Sequence, residues 1–200
     1  GGVMRALMQL QLQGHPQDRV GWTDDRELQV STDQGEYFYF VGCLPYFEII
    51  HADIGVPSLS SARDAVRILN RLGIRPVVSN QERCCGHDLY WSGDTDSFKR
   101  LAELNLEAIA RSGARKVVCT CAAGYATFKM EYPRYFGPLS FEVRHLSELL
   151  AEEVSQGRLQ LGGPERRITY QDPCRLGRAM GIYEAPRKVL GAIAGLELVE

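Results

Sequence analysis

The chain has 200 residues, 44% of them hydrophobic and 24% charged, which suits a globular protein with room for one large domain or two small ones. A formal net charge of -2 leaves no basic excess to neutralise phosphates, which excludes a general nucleic-acid or membrane-surface binder. No apolar run reaches membrane-spanning length and no signal peptide is visible, and the cysteine usage described below makes the cytoplasm the default compartment.

Val3 to Gln13 reads as a short helix ended by Gly14 and Pro16, after a Gly1-Gly2 start that suggests a processed end. His15 and the turn-rich stretch from Val20 to Glu36 form a polar arm outside the core, with Trp22 covering an apolar surface. Tyr37 to Gly42 is a continuous apolar run, as expected of a strand covered on both faces. A loop and a helix over about Ser60 to Leu72 follow, then a strand over Ile74 to Ser79. A long helix from Thr95 to Ser112 turns Phe98, Leu101, Ala102 and Ile109 inward, with Asp94 as N-cap and Gly113 beyond its end.

Lys116 to Thr120 is the next strand, and Ala122 to Glu131 a helix stopped by Pro133. Phe141 to Arg144 is a strand, followed by a helix with the stripe Leu146, Leu149, Leu150 and Val154. Strands over Arg167 to Gln171 and Leu196 to Val199 flank a last helix from Glu184 to Ala194. This alternation predicts an α/β fold: mainly parallel sheet or sheets with flanking helices.

Six cysteines sit at 43, 84, 85, 119, 121 and 174, a usage that suits metal binding in a reducing compartment better than a disulfide framework. Adjacent Cys84 and Cys85 need a bent backbone before both thiols can meet one target, and Gly86 supplies the bend. Two buried small hydrophobes or an oxidised pair are the competing readings. Cys43, Cys84, Cys85, Cys121 and Cys174 all follow expected strands, so four separate stretches are expected to deliver thiols to one carboxyl edge, where open parallel sheets bind ligands. Strand, Cys43, helix, Gly73 and strand are echoed by strand, Cys174, helix, Gly195 and strand. The chain stops where the second cysteine pair is expected, so the reading is of a longer two-copy protein.

With these residues assembled, the sequence resembles the cysteine-rich (CCG) domain family, which includes catalytic subunits of heterodisulfide reductase and iron–sulfur subunits of glycolate, lactate and glycerol-3-phosphate dehydrogenases. The likeness runs from about Tyr37 to Glu200 through FVGC at 40–43, CCGHDLYWSGD at 84–94 and YQDPCRLGRAMGIYEAPR at 170–187, and is strongest to heterodisulfide reductase B/D-type subunits. Beyond the helix and linker arm read over 1–36, it implies a Rossmann-like CCG domain over 37–160 and the first part of a second pseudo-repeat over 161–200. Cys43, Cys84, Cys85 and Cys121 then match ligands of a [4Fe–4S] cluster, non-cubane in some members, and Cys174 matches the first ligand of a second motif.

One position departs from the pattern. The last cysteine of Cys-x-x-Cys falls on residue 124, which is Gly124. Cys119 is an extra thiol on the same strand face as Cys121, roughly 6.5 Å from it, and is read as a buried strand residue or a weak ligand. Four thiolates still suffice for a cubane cluster or a tetrahedral zinc site.

His87 reads either as a donor to a cluster sulfur or substrate, the one candidate catalytic residue, or as a loop histidine bonded to Asp88. His51 and His145 read as structural or exposed. Arg175, Arg178 and Lys129 can neutralise an anionic cluster or form a solvated face. Tyr90, Trp91, Tyr125 and Phe128 are expected to form an apolar shell. The resemblance implies an oxidoreductase component, inactive on its own. It relays electrons from a flavin or ferredoxin-type iron–sulfur partner toward a thiol, a disulfide or another acceptor, with any membrane reached only through a partner. The alternative is a zinc-bearing or degenerate CCG domain with a structural role in an electron-transfer complex.

Overall fold

The computed structural model describes residues 2–14 and 18–199. His15 and Pro16 lie outside them. Helix α1 (Gly2–Leu12) opens the chain, and a 3-10 turn at Gly21–Thr23 precedes strand β1 (Tyr37–Phe40). Helices α2 (Leu44–Ile50), α3 (Ser58–Arg71), α4 (His87–Trp91) and α5 (Thr95–Ser112) follow. Then come β2 (Lys116–Cys119), α6 (Ala122–Ala126), a π-helical turn (Thr127–Glu131), α7 (Tyr132–Phe136), β3 (Glu142–His145) and α8 (Leu146–Ser155). The chain continues through β4 (Leu161–Ile168), α9 (Gly177–Met180), α10 (Glu184–Gly191) and β5 (Ile193–Leu198).

β1, β2 and β3 form a parallel sheet in that order, with Phe40, Cys119 and His145 in register at its carboxyl edge. The expected α/β class with parallel sheets and flanking helices is therefore what the protein adopts. Side chains alternate across the sheet. Phe38, Phe40, Val117, Cys119 and Val143 pack with Met8, Phe98, Leu101, Phe128 and Tyr132 in one core cluster. Tyr39, Val41 and Val118 join Leu59, Ala62, Ala65, Val66 and Leu69 of α3 and Leu149 of α8 in the other. Each fully buried large apolar side chain contributes about 1.5–3 kcal/mol relative to exposure.

Several expectations need correction. The stretch after α1 is not an arm outside the core: Trp22 and Leu28 are buried against Tyr39 and α3. The loop expected after Cys43 begins with α2, whose first turn accepts Pro45 because its N–H would be unpaired there in any case. The strand expected over Ile74 to Ser79 is reduced to bridges from Val77 to Phe38 and to Ser31. Pro76 has no N–H, so a continuous ladder cannot form, although its carbonyl still accepts from Ser31 N at 2.9 Å. Pro133 does not stop the helix after β2. It sits in the first turn of α7, directly beyond the π-helical turn, and the helical run continues to Phe136.

β4 starts earlier than expected and β5 takes over Ile193 and Ala194 from the expected helix. These two strands pair parallel in a separate two-stranded sheet, so the carboxyl edge of the main sheet is not shared by all five strands. The strands approach closely at glycines. A Cβ on Gly195 would lie 2.7 Å from the carbonyl oxygen of Gly163, which bars any larger residue there. α5 behaves as its sequence indicates, with Asp94 accepting from Ser97 N at 3.3 Å. No helix among the described residues is long and apolar enough to cross a membrane.

Candidate metal–sulfur site

Three segments leave the carboxyl edge of the main sheet and meet at a cavity of about 270 Å³ lined by Cys43, Cys84, Cys85 and Cys121. Cys43 caps α2 directly after β1, and Cys121 caps α6 directly after β2. Cys84 and Cys85 follow the segment that bridges to β1 through Val77. The bend at Gly86 is as expected: its φ is 83°, and an added Cβ would meet Phe98 Cδ2 at 2.8 Å. The Cys43 and Cys84 sulfurs lie 3.0 Å apart, and all six cysteines are free thiols. The oxidised-pair reading of Cys84 and Cys85 is thereby set aside.

The backbone of the cysteine pair is held by buried side chains from three helices. Gln11 of α1 accepts from Cys84 N at 2.7 Å. Asn105 of α5 accepts from Arg83 N at 2.7 Å and donates to the Cys84 carbonyl at 3.0 Å and to Tyr132 Oη at 3.1 Å. Tyr132 of α7 donates in turn to the Cys85 carbonyl at 3.2 Å. On the other side of the cavity, Glu82 accepts from Val41 N and Gly42 N and pairs with Arg19 at 3.0 Å. None of these five residues was singled out in the sequence. Asn105 had a signal, a lone polar residue on the inward stripe of α5 among Leu101, Ala102, Ala108 and Ile109. Arg19, in a turn-rich stretch, had none.

The thiols shift one another's pKa, mostly upward, although the contact from Cys85 lowers that of Cys84. Cys84 lies well above the ordinary thiol value, chiefly through its contact with Cys43, and Cys85 likewise through Cys84 and then burial. Burial, followed by Cys85, pushes Cys121 up. Opposing this, the N–H groups of Gly86 and His87 face the Cys84 and Cys85 sulfurs, and those of Gly124 and Ala123 face Cys121, with Gly124 N 3.5 Å away. His87 Nδ1 is buried beside the cysteines without a hydrogen-bond partner, and the Thr127 hydroxyl faces the Cys85 sulfur and opposes the rise in its pKa. Among the described residues, no group of three or more His, Cys, Asp or Glu side chains is gathered closely enough to hold one metal ion. The four thiols line a chamber and do not converge on a point.

His87 lines the cavity and makes no bond to Asp88 through Nδ1, and its pKa is lowered by burial and then by Arg175. Cys119 is fully buried beneath the edge and does not line the cavity, as the strand reading expects. Cys174 is exposed, beyond β4 of the second sheet and away from the cavity, so three stretches and not four deliver thiols to it. Arg175 is engaged elsewhere, paired with buried Glu131 at 2.7 Å and lying over the Trp91 ring. Arg178 and Lys129 are exposed.

The aromatic shell also differs from expectation. Trp91 is 61% exposed, and the cavity's own apolar lining is Phe40, Phe47 and Met4, with Phe128 packed edge-on behind Phe40 at 4.8 Å. Tyr125 is buried near His145. His51 stacks on Phe47, and His145 caps α8.

The chain is 35% identical to the D-type subunit of dihydromethanophenazine:CoB--CoM heterodisulfide reductase of Methanosarcina barkeri over 189 residues, covering 92% of this chain and 44% of that protein. It is 32% identical to EtfAB:quinone oxidoreductase of Syntrophomonas wolfei over 186 residues, covering 88% and 25%. It is 30% identical to the probable iron-sulfur-binding oxidoreductase FadF of Bacillus subtilis over 214 residues, covering 99% and 29%. The chain thus spans less than half the length of these relatives. No solved structure gives a significant match. The cysteine-rich domain pattern matches residues 37–129 and 168–200, the segments that carry the four cavity cysteines and Cys174, and the chain belongs to the cysteine-rich (CCG) domain family.

Proposed function

We propose that this chain is an iron–sulfur redox component of a heterodisulfide-reductase-like complex, with Cys43, Cys84, Cys85 and Cys121 as the ligands of its cluster. The observation that carries the reading is the single chamber lined by these four thiols. Its donors are soft thiolates, and its volume and spread suit a group with several attachment points better than one ion. The unpartnered His87 Nδ1 can serve as a donor to bound sulfur, and the Thr127 hydroxyl already faces the Cys85 sulfur, which fits the same group.

A cluster bound there supplies one-electron transfer. The chain's own residues do the rest. The N–H groups of Gly86, His87, Ala123 and Gly124 stabilise the thiolates, which must lose their protons on loading. Phe40, Phe47 and Met4 give the chamber an apolar lining that lowers the dielectric around the two buried thiols, Cys84 and Cys85. A relative named as an oxidoreductase subunit supports redox partner subunits, which in this reading are of flavin or ferredoxin type. Cys174 then begins a second ligand set in the 161–200 region, with disulfide or thiol chemistry belonging to the larger protein.

Single Cys→Ser substitutions test the assignment. Serine at 43, 84, 85 or 121 is expected to lower iron and acid-labile sulfide per chain, whereas Cys119→Ser leaves both unchanged. Equal iron in all variants, or stoichiometric zinc throughout, contradicts it.

A further inference from the structure

An ion pair with both side chains 1% exposed braces the cysteine chamber: Arg19 and Glu82, 3.0 Å apart. Removing two charges from water is costly, and an apolar pair of similar volume would fill the space more cheaply. What distinguishes this pair is where its hydrogen bonds go. Glu82 accepts from Gly42 N at 2.7 Å and from Val41 N at 3.1 Å. Arg19 donates through Nη2 to the Gly42 carbonyl as well, and its own N–H is held by Asn80 Oδ1 at 2.7 Å.

The β1 ladder ends at Phe40, so strand pairing does not hold Val41 and Gly42. These two residues lead directly into Cys43, and Glu82 lies two residues before Cys84. One carboxylate therefore ties the backbone entering Cys43 to the backbone entering Cys84, the two cysteines whose sulfurs are 3.0 Å apart.

We infer that Glu82, oriented by Arg19, is a positioning residue that fixes the Cys43–Cys84 sulfur separation before any metal is bound. Its importance rests on the metal–sulfur reading of the chamber, but the geometry it sets does not. Preorganisation of this kind lowers the ordering cost of loading the site and slows loss of its contents. The tie acts through backbone N–H groups, so a neutral isostere that cannot accept both bonds and pair with Arg19 loosens it.

The test uses the full chain, metal-free and anaerobic, treated with dibromobimane. This reagent alkylates two neighbouring thiols, forming two S–C bonds as two bromides and two protons leave, and becomes fluorescent on bridging. Peptide mapping identifies the Cys43–Cys84 product. Glu82→Gln is expected to slow that bridging about tenfold and, in protein loaded with iron and sulfide, to speed iron loss to a chelator by about tenfold. Arg19→Lys keeps the charge but loses the guanidinium Nη2 that donates to both the Gly42 carbonyl and Glu82, and is expected to fall between Glu82→Gln and the unaltered chain. A Glu82→Gln protein that bridges at the unaltered rate overturns the inference. If Glu82→Gln does not fold, Arg19→Lys is read instead, and an unaltered bridging rate there overturns it equally. Bridging is measured without metal, so a zinc or metal-free outcome for the proposed function leaves this result standing.

Discussion

Asn105 grips both sides of the Arg83–Cys84 junction, accepting from Arg83 N at 2.7 Å and donating to the Cys84 carbonyl at 3.0 Å. One side chain of α5 thereby fixes the peptide that presents the cysteine pair, 21 residues earlier in the chain. Asn105→Leu fills similar space but leaves the Arg83 N–H and the Cys84 carbonyl without these partners inside the protein. The expected loss is about 2 kcal/mol or more, read as a lower urea midpoint with unchanged slope. A midpoint equal to that of the unaltered chain would show the clamp to be dispensable.

Gly86 and Gly124 both lie at the site and make opposite predictions. Gly86→Ala puts a Cβ at positive φ and 2.8 Å from the Phe98 ring, so it should cost about 2 kcal/mol, or roughly 4–8 °C in thermal midpoint for a chain of this size.

At Gly124 the nearest atoms to an added Cβ are Cys121 Cβ at 3.7 Å and the Phe40 ring at 3.9 Å, which is ordinary contact. Gly124→Cys should therefore change stability by less than about 1 kcal/mol while adding a fifth thiol to the chamber. Thermal denaturation and thiol titration check the substitution, and iron bound per chain is expected to hold or rise. Lower iron than in the unaltered chain would count against residue 124 as a ligand position.

His145 links stability to pH. Its Nε2 lies 3.1 Å from the Thr120 carbonyl and its Nδ1 accepts from Ser147 N at 3.3 Å, an arrangement that requires the neutral ring with the proton on Nε2. Burial lowers its pKa below 6.5, against the pull of Thr120 and Glu148. The unfolded chain thus binds the proton more readily, and the stability it contributes is complete above about pH 6.5 and falls as pH drops toward the lowered value. Urea midpoints from about pH 7.5 down to 5 should fall more steeply in the unaltered chain than in His145→Gln. Parallel slopes would remove His145 as a cause.

The convergence on the site was legible for a definite reason. β1 and β2 are short strands whose ends at Phe40 and Cys119 lie just ahead of Cys43 and Cys121, and Gly86 marks the bend beside the cysteine pair, so position along the chain stood in for position in space. The polar supports were not legible, because nothing in the local sequence marks Arg19 and Glu82 as buried and their pairing follows only from tertiary contact across 63 positions. α2 hid behind Pro45, and Pro76 broke the strand expected before Cys84. Cys174 was misplaced at the common edge because strand order gives no sign of which sheet a strand joins. β4 finds its partner in β5, whose glycine permits the close approach.

The central claim is that four thiols in one chamber hold an iron–sulfur cluster. Anaerobic purification followed by iron, acid-labile sulfide and zinc analysis, with a visible spectrum of the same sample, tests it most directly. Brown protein with labile iron and sulfide, both lost on Cys85→Ser, is the expected result. Colourless protein carrying stoichiometric zinc would contradict it.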